Sequence, residues 1–225
     1  YRKHGRRACT KDGREQFSVQ EVGLVMTNKE ASHDKLLHLR AGLARKPVIA
    51  GLKGVDEVYR AAEAGINVCF YLTGNIFELR DLVVRCREQN QMVFAHVDLI
   101  SGIAKDYYGM EFLASEIGVD GILTTKGHLI TAARKAGLLG IQRLFMLDSE
   151  AFRTGLKMLK TSKPDGVEIL PALILPFIKD RLPKQLPPII AGGLVETRNE
   201  LQMILRPPVL AVSTSQVELW NYRKE

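Results

Sequence analysis

Short apolar runs alternate with helical patterns along the chain from Pro47 onward. Eight runs rich in β-branched and aromatic residues recur at near-even spacing, and apolar residues three and four apart lie between them. Several helical patterns end at glycine, as in "SEIG" and "RKAG", which is a common way to end a helix. We predict strands over residues 47–52, 67–72, 92–98, 121–125, 141–147, 166–170, 187–193 and 209–215.

Strands that alternate with helices are expected to be parallel and joined by right-handed crossovers. An open, doubly wound sheet of six strands is the competing arrangement, but eight even units fit a closed barrel better. We therefore predict an α/β protein, a compact (β/α)8 TIM-like barrel, as a single domain over residues 33–225. A short lead-in helix over 33–45 precedes its first strand. The turns "VDG" and "PDG" precede two strands, so we expect Asp120 and Asp165 to stabilise turns at the amino-terminal face.

Residues 1–32 show no sustained periodicity, and the chain does not begin with Met. We expect them to be a flexible or non-native basic tail, with Met26 as the natural start. Residues 1–46 hold eleven Lys and Arg against five Asp and Glu, out of a net charge of +7 for the whole chain. The rest of the chain is nearly neutral, so charge alone does not indicate a nucleic-acid partner.

Composition narrows the class of protein further. A chain of 225 residues with 46% hydrophobic and 25% charged residues is typical of a globular protein. Its longest apolar stretch, "LPALILPFI", is too short to span a bilayer. The three cysteines have no metal or redox spacing, and we expect Cys69 and Cys86 to be buried thiols in a reducing cytoplasm. We predict no metal site, no cofactor and no membrane partner.

The ends of the last two predicted strands carry the clearest chemical signal. In barrels of this kind the loops after strands seven and eight commonly hold a phosphate. Glycines let the backbone approach an anion, and hydroxyls and backbone N–H groups can bind it. The alternative is a strand-end turn followed by an ordinary helix cap, with Ser215 capping the final helix. The predicted phosphate-binding residues are Gly192, Gly193, Ser213, Thr214 and Ser215.

Two further pairs of polar residues lie on predicted strands. His96 and Asp98 are two residues apart and face the same way, with Asp98 at the mouth and exposed to ligand. His96 is deeper and is either a satisfied core histidine or a ligand contact. Arg143 and Glu168 interrupt apolar runs on neighbouring strands, so we predict that they form an ion pair inside the barrel. Their role is either structural or in binding a polar ligand.

Two candidates lie outside the strands. The longest loop, "LISGIAKDYYGMEF", is a candidate lid, and Lys105 within it is either a ligand contact or a solvated lysine. Asp148 or Ser149 is expected to cap the fifth helix of the barrel. That helix places Arg153, Lys157 and Lys160 on one face, which is either a solvated surface or a site that binds RNA phosphates.

Six segments of the chain resemble one bacterial family, the glycerol-3-phosphate-responsive antiterminators. They are "HVDLISGIAKDYYGMEFL", "GILTTKGHLITAARKAG", "IQRLFMLDSEAF", "KPDGVEILPALI", "PPIIAGGLVET" and "VLAVSTSQVELWN", within about residues 47–222. The resemblance implies a TIM-like barrel that binds glycerol 3-phosphate. It further implies action on the leader mRNA of glycerol-uptake and glycerol-catabolism genes, where the protein prevents terminator formation.

The same resemblance places the phosphate of the effector at the glycine and hydroxyl residues that follow strands seven and eight. It makes His96, Asp98, Arg143 and Glu168 candidates for the glycerol end of the effector or for its supports. A ligand-gated RNA-binding regulator is the leading hypothesis, and a homodimer would strengthen it by doubling a small basic patch. The alternative is an enzyme acting on a small phosphorylated substrate, such as an aldolase, isomerase or transferase, with His96 and Asp98 as its acid–base pair. A sensor that contacts protein is a third hypothesis.

Overall fold

The chain folds into a closed barrel of eight parallel strands surrounded by helices, as predicted. The computed structural model describes residues 19–223, with side chains from residue 32 onward, so most of the predicted tail and Cys9 lie outside the described residues. The strands follow one another around the barrel in chain order, and the last pairs with the first. They are β1 (Val48–Leu52), β2 (Val68–Tyr71), β3 (Met92–His96), β4 (Gly121–Thr124), β5 (Leu139–Phe145), β6 (Gly166–Leu170), β7 (Ile189–Gly192) and β8 (Val209–Thr214).

Helices lead into the barrel and connect its strands. The lead-in helix is longer than predicted: it begins at Val19, inside the segment predicted to be a tail, rather than at residue 33. No proline interrupts that segment, and Pro47 follows the helix directly. The helices are α1 (Val19–Arg45), α2 (Glu57–Glu63), α3 (Ile76–Glu88), α4 (Tyr107–Phe112), α5 (Gly127–Lys135), α6 (Ser149–Ser162), α7 (Leu175–Ile178), α8 (Arg198–Ile204) and α9 (Val217–Trp220).

The last turns of α1 pack against the barrel interior. Leu39 and Leu43 are almost fully buried and belong to one apolar cluster with inward-facing strand residues such as Phe70, Phe94 and Ile141. A second cluster fills the space between the strands and the outer helices. Cys69 and Cys86 are free thiols in that second cluster, which confirms the prediction that they are buried.

Two aspartates join neighbouring units at the amino-terminal ends of the strands in the same way. The Asp120 carboxylate accepts a hydrogen bond of 2.8 Å from the backbone N–H of Val93, and Asp165 accepts one of 2.8 Å from Gly140. The backbone N–H of Asp120 in turn donates to the carbonyl of Val93, and that of Asp165 donates to the carbonyl of Gly140. Both residues therefore stabilise turns, as predicted.

The predicted lid is more ordered than a loop. Ile100–Ser101 pairs with Gly74–Asn75 in a small parallel ladder, and α4 follows, with its first turn capped by the Asp106 carboxylate. Only a few residues between the ladder and α4 lack regular structure. Across the described part of the chain, no helix combines the length and apolar character needed to cross a membrane.

Candidate functional site

Arg143 and Glu168 form the polar centre of the upper barrel. They are cross-strand neighbours in register on β5 and β6, and Arg143 Nε donates to Glu168 Oε2 at 2.5 Å. The Glu168 side chain is fully buried, whereas 13% of the Arg143 side chain remains exposed. The predicted ion pair is confirmed. Among the described residues, Nε is the Arg143 nitrogen that has a hydrogen-bond partner, so the two terminal nitrogens remain able to donate to a ligand.

Gly192 is needed because of a hydrogen bond that the second Glu168 carboxylate oxygen accepts. Ser213 Oγ on β8 donates a hydrogen bond of 2.6 Å to Glu168 Oε1 on β6, across the intervening strand β7. A Cβ atom on Gly192 would lie 2.5 Å from Glu168 Oε1 and 2.8 Å from Ser213 Oγ. Gly192 thus leaves room for the Ser213–Glu168 hydrogen bond, and it does not line the cavity described next. The structure gives Gly192 this packing role, and its contact with a phosphate stays a prediction.

A cavity of about 200 Å³ opens at the carboxyl ends of the strands beside the ion pair. Six of the predicted site residues line it together: Arg143, Glu168, Gly193, Ser213, Thr214 and Ser215. Gly193 has a φ of +76°, a conformation that favours glycine, and its Cβ position meets only Leu170 at 3.4 Å. Residues predicted after strands seven and eight therefore border one cavity, and their binding of a phosphate stays a prediction.

Sequence reasoning missed the opposite wall of this cavity, which Gly51, Phe70 and Leu72 form. These residues lie in or just after β1 and β2, the two strands that follow β8 around the barrel. Their position near the carboxyl ends of strands was a usable signal. Apolar residues and a glycine do not resemble a ligand-binding motif, however, so the pattern alone did not identify them.

The hydroxyl groups in the cavity are less free than predicted. The Ser213 hydroxyl donates its hydrogen bond to Glu168. The Thr214 hydroxyl donates to the Val195 carbonyl at 3.2 Å and accepts from the Gln216 N–H at 3.1 Å. Ser215 does not cap the final helix, because α9 begins one residue later with Gln216 at its N-cap and no side-chain capping bond. Ser213 therefore offers a ligand an acceptor oxygen rather than a proton.

His96 is buried on the inner side of the barrel and has no hydrogen-bond partner. The residue is 3% exposed, and among the described residues neither Nδ1 nor Nε2 has a partner. Burial lowers the pKa of His96, the charge of Arg143 lowers it further, and Asp98 and Glu168 act in the opposite direction. No described residue satisfies the ring of His96, and its role as a ligand contact stays a prediction.

Asp98 is a structural link rather than an exposed ligand group. Its carboxylate accepts hydrogen bonds from the backbone N–H of Thr125 at 2.7 Å and from the hydroxyls of Thr124 and Thr125 at 2.9 and 3.1 Å. Burial raises the pKa of Asp98, but these hydrogen bonds outweigh it and leave the pKa below its usual value. His96 and Asp98, the acid–base pair of the enzyme hypothesis, are not hydrogen-bonded to each other.

Lys105 lies within the electrostatic influence of the same rim of the barrel. Partial burial lowers its pKa, Asp98 acts to raise it, and Lys126 at the start of the next connection lowers it again. The side chain is half-buried and is not among the residues that line the cavity. Within residues 19–223 no group of three or more His, Cys, Asp and Glu side chains is placed to hold a metal ion.

The predicted basic face of α6 is exposed. Asp148 caps this helix by accepting from the N–H groups of Glu150 and Ala151, as predicted. Arg153, Lys157 and Lys160 are all exposed, and Arg153 pairs with Glu150 at 2.7 Å on the surface. The Arg181 guanidinium lies 5.1 Å from the centroid of the Phe152 ring, which adds a cation beside the helix.

Comparison with known proteins gives a consistent result. The family model of the glycerol-3-phosphate responsive antiterminator matches residues 48–220, which span the barrel from β1 to α9. The uncharacterized protein YgcP of Escherichia coli is 33% identical over 193 residues, which cover 84% of this chain and 98% of that protein. Its description states no activity.

Two solved structures agree with the family match. The glycerol uptake operon antiterminator regulatory protein of Listeria monocytogenes is 32% identical, with a TM-score of 0.72 over 78% of this chain and 95% of that one. A glycerol uptake operon antiterminator-related protein of Thermotoga maritima is 31% identical, with a TM-score of 0.71 over 79% and 99%. These matches support a regulator rather than an enzyme, and the chain belongs to the glycerol-3-phosphate responsive antiterminator family.

Proposed function

We propose that this protein binds glycerol 3-phosphate in the cavity at the carboxyl ends of its strands and, in that state, binds leader mRNA of glycerol-uptake or glycerol-catabolism genes and prevents terminator formation. The observation that carries the proposal is the cavity itself, which lies at the ends of β6, β7 and β8 and is lined by Arg143 and Gly193. The protein would act in the cytoplasm, because its target is a transcript under synthesis, and we propose that it needs no cofactor besides the effector.

The phosphate would bind at the rim of the cavity. The terminal nitrogens of Arg143 can donate to an anion in the fork geometry that suits phosphate oxygens. The Ser215 hydroxyl and the backbone at Gly193, where no side chain intervenes, lie on the same wall. Arg143 is a better source of positive charge than α9, which has only four residues.

The glycerol end of the ligand would point toward the barrel interior. Ser213 Oγ donates to Glu168 and can accept a hydrogen bond from a ligand hydroxyl. The fully buried Glu168 carboxylate repels an anion, so the inner part of the cavity favours uncharged polar groups. This orientation separates the anionic end of the ligand from a buried carboxylate.

The RNA would contact the exposed basic face of α6, which comprises Arg153, Lys157 and Lys160. Cations on one helix face neutralise backbone phosphates without selecting a sequence. Arg181, held against Phe152, would extend this surface toward the next connection. Because the barrel carries little net charge, a homodimer that presents two such faces would bind RNA more tightly than one copy.

Titration calorimetry with glycerol 3-phosphate tests the ligand site directly. The wild-type protein is expected to bind, and Gly193→Val is expected to lose measurable binding while the barrel remains folded. Gly65→Val is the matched control, because Gly65 has a φ of +75° and also lies in open space but precedes β2 at the opposite end of the barrel. Unchanged affinity in Gly193→Val, or equal losses in both variants, would contradict the proposed site.

A further inference from the structure

A buried histidine without hydrogen-bond partners is unfavourable unless a ligand or a rearrangement satisfies it. Both ring nitrogens of His96 are buried and, among the described residues, unpartnered. The ring forms no hydrogen bond to Asp98 two residues later, because the Asp98 carboxylate is bonded to Thr124 and Thr125. His96 therefore has hydrogen-bonding capacity that the described state leaves unused.

The position of His96 brings it beside the cavity. Met92 and Phe94 share its face of β3 and belong to the interior cluster. Phe94 on β3 is in register with Phe70 on β2, and Phe70 lines the cavity. Two residues further along the strands, His96 lies level with Leu72, which also lines the cavity. His96 is not in the cavity wall in the described state, so a ligand would reach it when a lining side chain such as Leu72 moves aside.

The protonation state of His96 determines which ligand group it suits. Burial and the charge of Arg143 lower its pKa, against the smaller effects of Asp98 and Glu168, so the ring is neutral near pH 7. A neutral imidazole has one donor and one acceptor nitrogen. A hydroxyl group can meet either nitrogen, whereas a fully ionised phosphate would leave the acceptor nitrogen unsatisfied.

We propose that His96 is the specificity-determining residue of the cavity, and that it selects ligands by hydrogen bonding to the hydroxyl groups at the end of the molecule away from its phosphate. This inference rests on the proposed function, because it presupposes that glycerol 3-phosphate binds there with its glycerol end inward. Beyond that function, it assigns to the His96 imidazole the discrimination between a polyol phosphate and phosphate esters without hydroxyl groups.

The test compares glycerol 3-phosphate with propyl phosphate, which has the same chain length and phosphate but neither hydroxyl. The wild-type protein is expected to prefer glycerol 3-phosphate by about tenfold or more, the effect of at least one satisfied hydrogen bond. His96→Phe is expected to remove most of this preference by weakening glycerol 3-phosphate alone. His96→Gln, which keeps a donor and an acceptor, should retain part of it, and His128→Phe, at an exposed histidine, should retain all of it.

Acidification supplies a second readout, because both ligands carry the same titrating phosphate. Protonated imidazole has no acceptor nitrogen, and the pKa of His96 lies below the usual histidine value, so the preference of the wild-type protein should decline only as pH falls below about 6.5. The His96→Phe protein should show no such decline. His96→Leu replaces His96→Phe if the latter does not fold.

The two levels of the hypothesis fail differently. A wild-type protein that binds neither ligand contradicts the proposed function and this inference with it. A wild-type protein that binds glycerol 3-phosphate, together with a His96→Phe protein that keeps the same preference over propyl phosphate, contradicts only the role of His96. A preference lost in His96→Phe and retained in His128→Phe supports both.

Discussion

The Ser213 hydroxyl donates a 2.6 Å hydrogen bond to the Glu168 carboxylate, although the strands that carry the two residues are not neighbours. The bond passes over Gly192, where any side chain would occupy the same space. Arg143 holds the other carboxylate oxygen. The polar centre of the barrel is thus one connected group, formed by three strands and by a glycine on the strand between two of them.

Gly192→Ala should destabilise the protein by overpacking this centre. The added Cβ would lie 2.5 Å from Glu168 Oε1, so the carboxylate or the strand must shift. We expect a loss of about 1–3 kcal/mol in the free energy of unfolding, measured by urea denaturation. Gly54→Ala, where a Cβ meets nothing within 4 Å, is the control and should be near neutral. Equal stability of the two variants would show that the centre adapts freely.

Removing one partner of the ion pair should cost more than removing both. Arg143→Met leaves the fully buried Glu168 carboxylate without its cation, and we expect a loss of about 3–5 kcal/mol. Adding Glu168→Gln removes the charge and keeps an acceptor for Ser213, so the double variant should recover much of that stability. Denaturant unfolding of the four proteins measures the coupling. Additive losses would mean that the two charges do not interact.

Asp120 should give stability a specific dependence on pH. Burial raises its pKa, against the Val93 N–H and the charges of Lys35 and Arg87. Because the folded pKa exceeds the unfolded one, the folded protein retains the proton where the unfolded chain has lost it. This contribution to stability is present at low pH and is lost as pH rises through the folded pKa.

The comparison that isolates this effect is with Asp120→Asn, which keeps an oxygen for the Val93 N–H. The stability of the wild-type protein relative to Asp120→Asn should fall as pH rises from about 4, the unfolded value, toward 7. Urea denaturation across this range measures the difference, since titration of Asp165 is common to both proteins. A difference that is constant, or that grows with pH in favour of the wild type, would contradict the assignment.

Charge reversal on α6 tests the RNA-binding face separately from the ligand site. Lys157→Glu with Lys160→Glu should weaken leader RNA binding by at least tenfold at about 0.1 M salt and reduce its salt dependence. Glycerol 3-phosphate affinity should not change, because α6 does not line the cavity. Arg60→Glu with Arg80→Glu applies the same charge change to exposed residues of α2 and α3. Equal losses in the two double variants would assign the effect to net charge alone.

The barrel and part of its site could be predicted from the sequence because both depend on local order along the chain. Alternating strand and helix patterns specify parallel strands, and counting them placed Gly193 and Ser215 after the last two. Arg143 and Glu168 each interrupt an apolar run, and a buried charge needs a partner, so their pairing followed from adjacency. These inferences needed no knowledge of side-chain orientation.

Other features depend on contacts between distant residues, which a pattern does not encode. The Ser213 hydroxyl donates its hydrogen bond to Glu168, which is 45 residues away in sequence. The sequence predicted that Asp98 would be a free carboxylate at the mouth of the barrel, but its oxygens accept hydrogen bonds from Thr124 and Thr125. The unpartnered state of His96 becomes visible only when every neighbouring polar group has been placed.

The most direct test of the account measures binding of the leader RNA from the glycerol-uptake operon in the genome that encodes this chain, at fixed salt, with and without glycerol 3-phosphate. An effector must favour one state of the protein to alter its partner's affinity. We expect saturating glycerol 3-phosphate to raise the RNA affinity of the wild-type protein by about fivefold or more, within the usual range of allosteric coupling. The Gly193→Val protein should show no such rise. RNA binding that is absent, or that is equally tight with and without glycerol 3-phosphate, would contradict the proposed function.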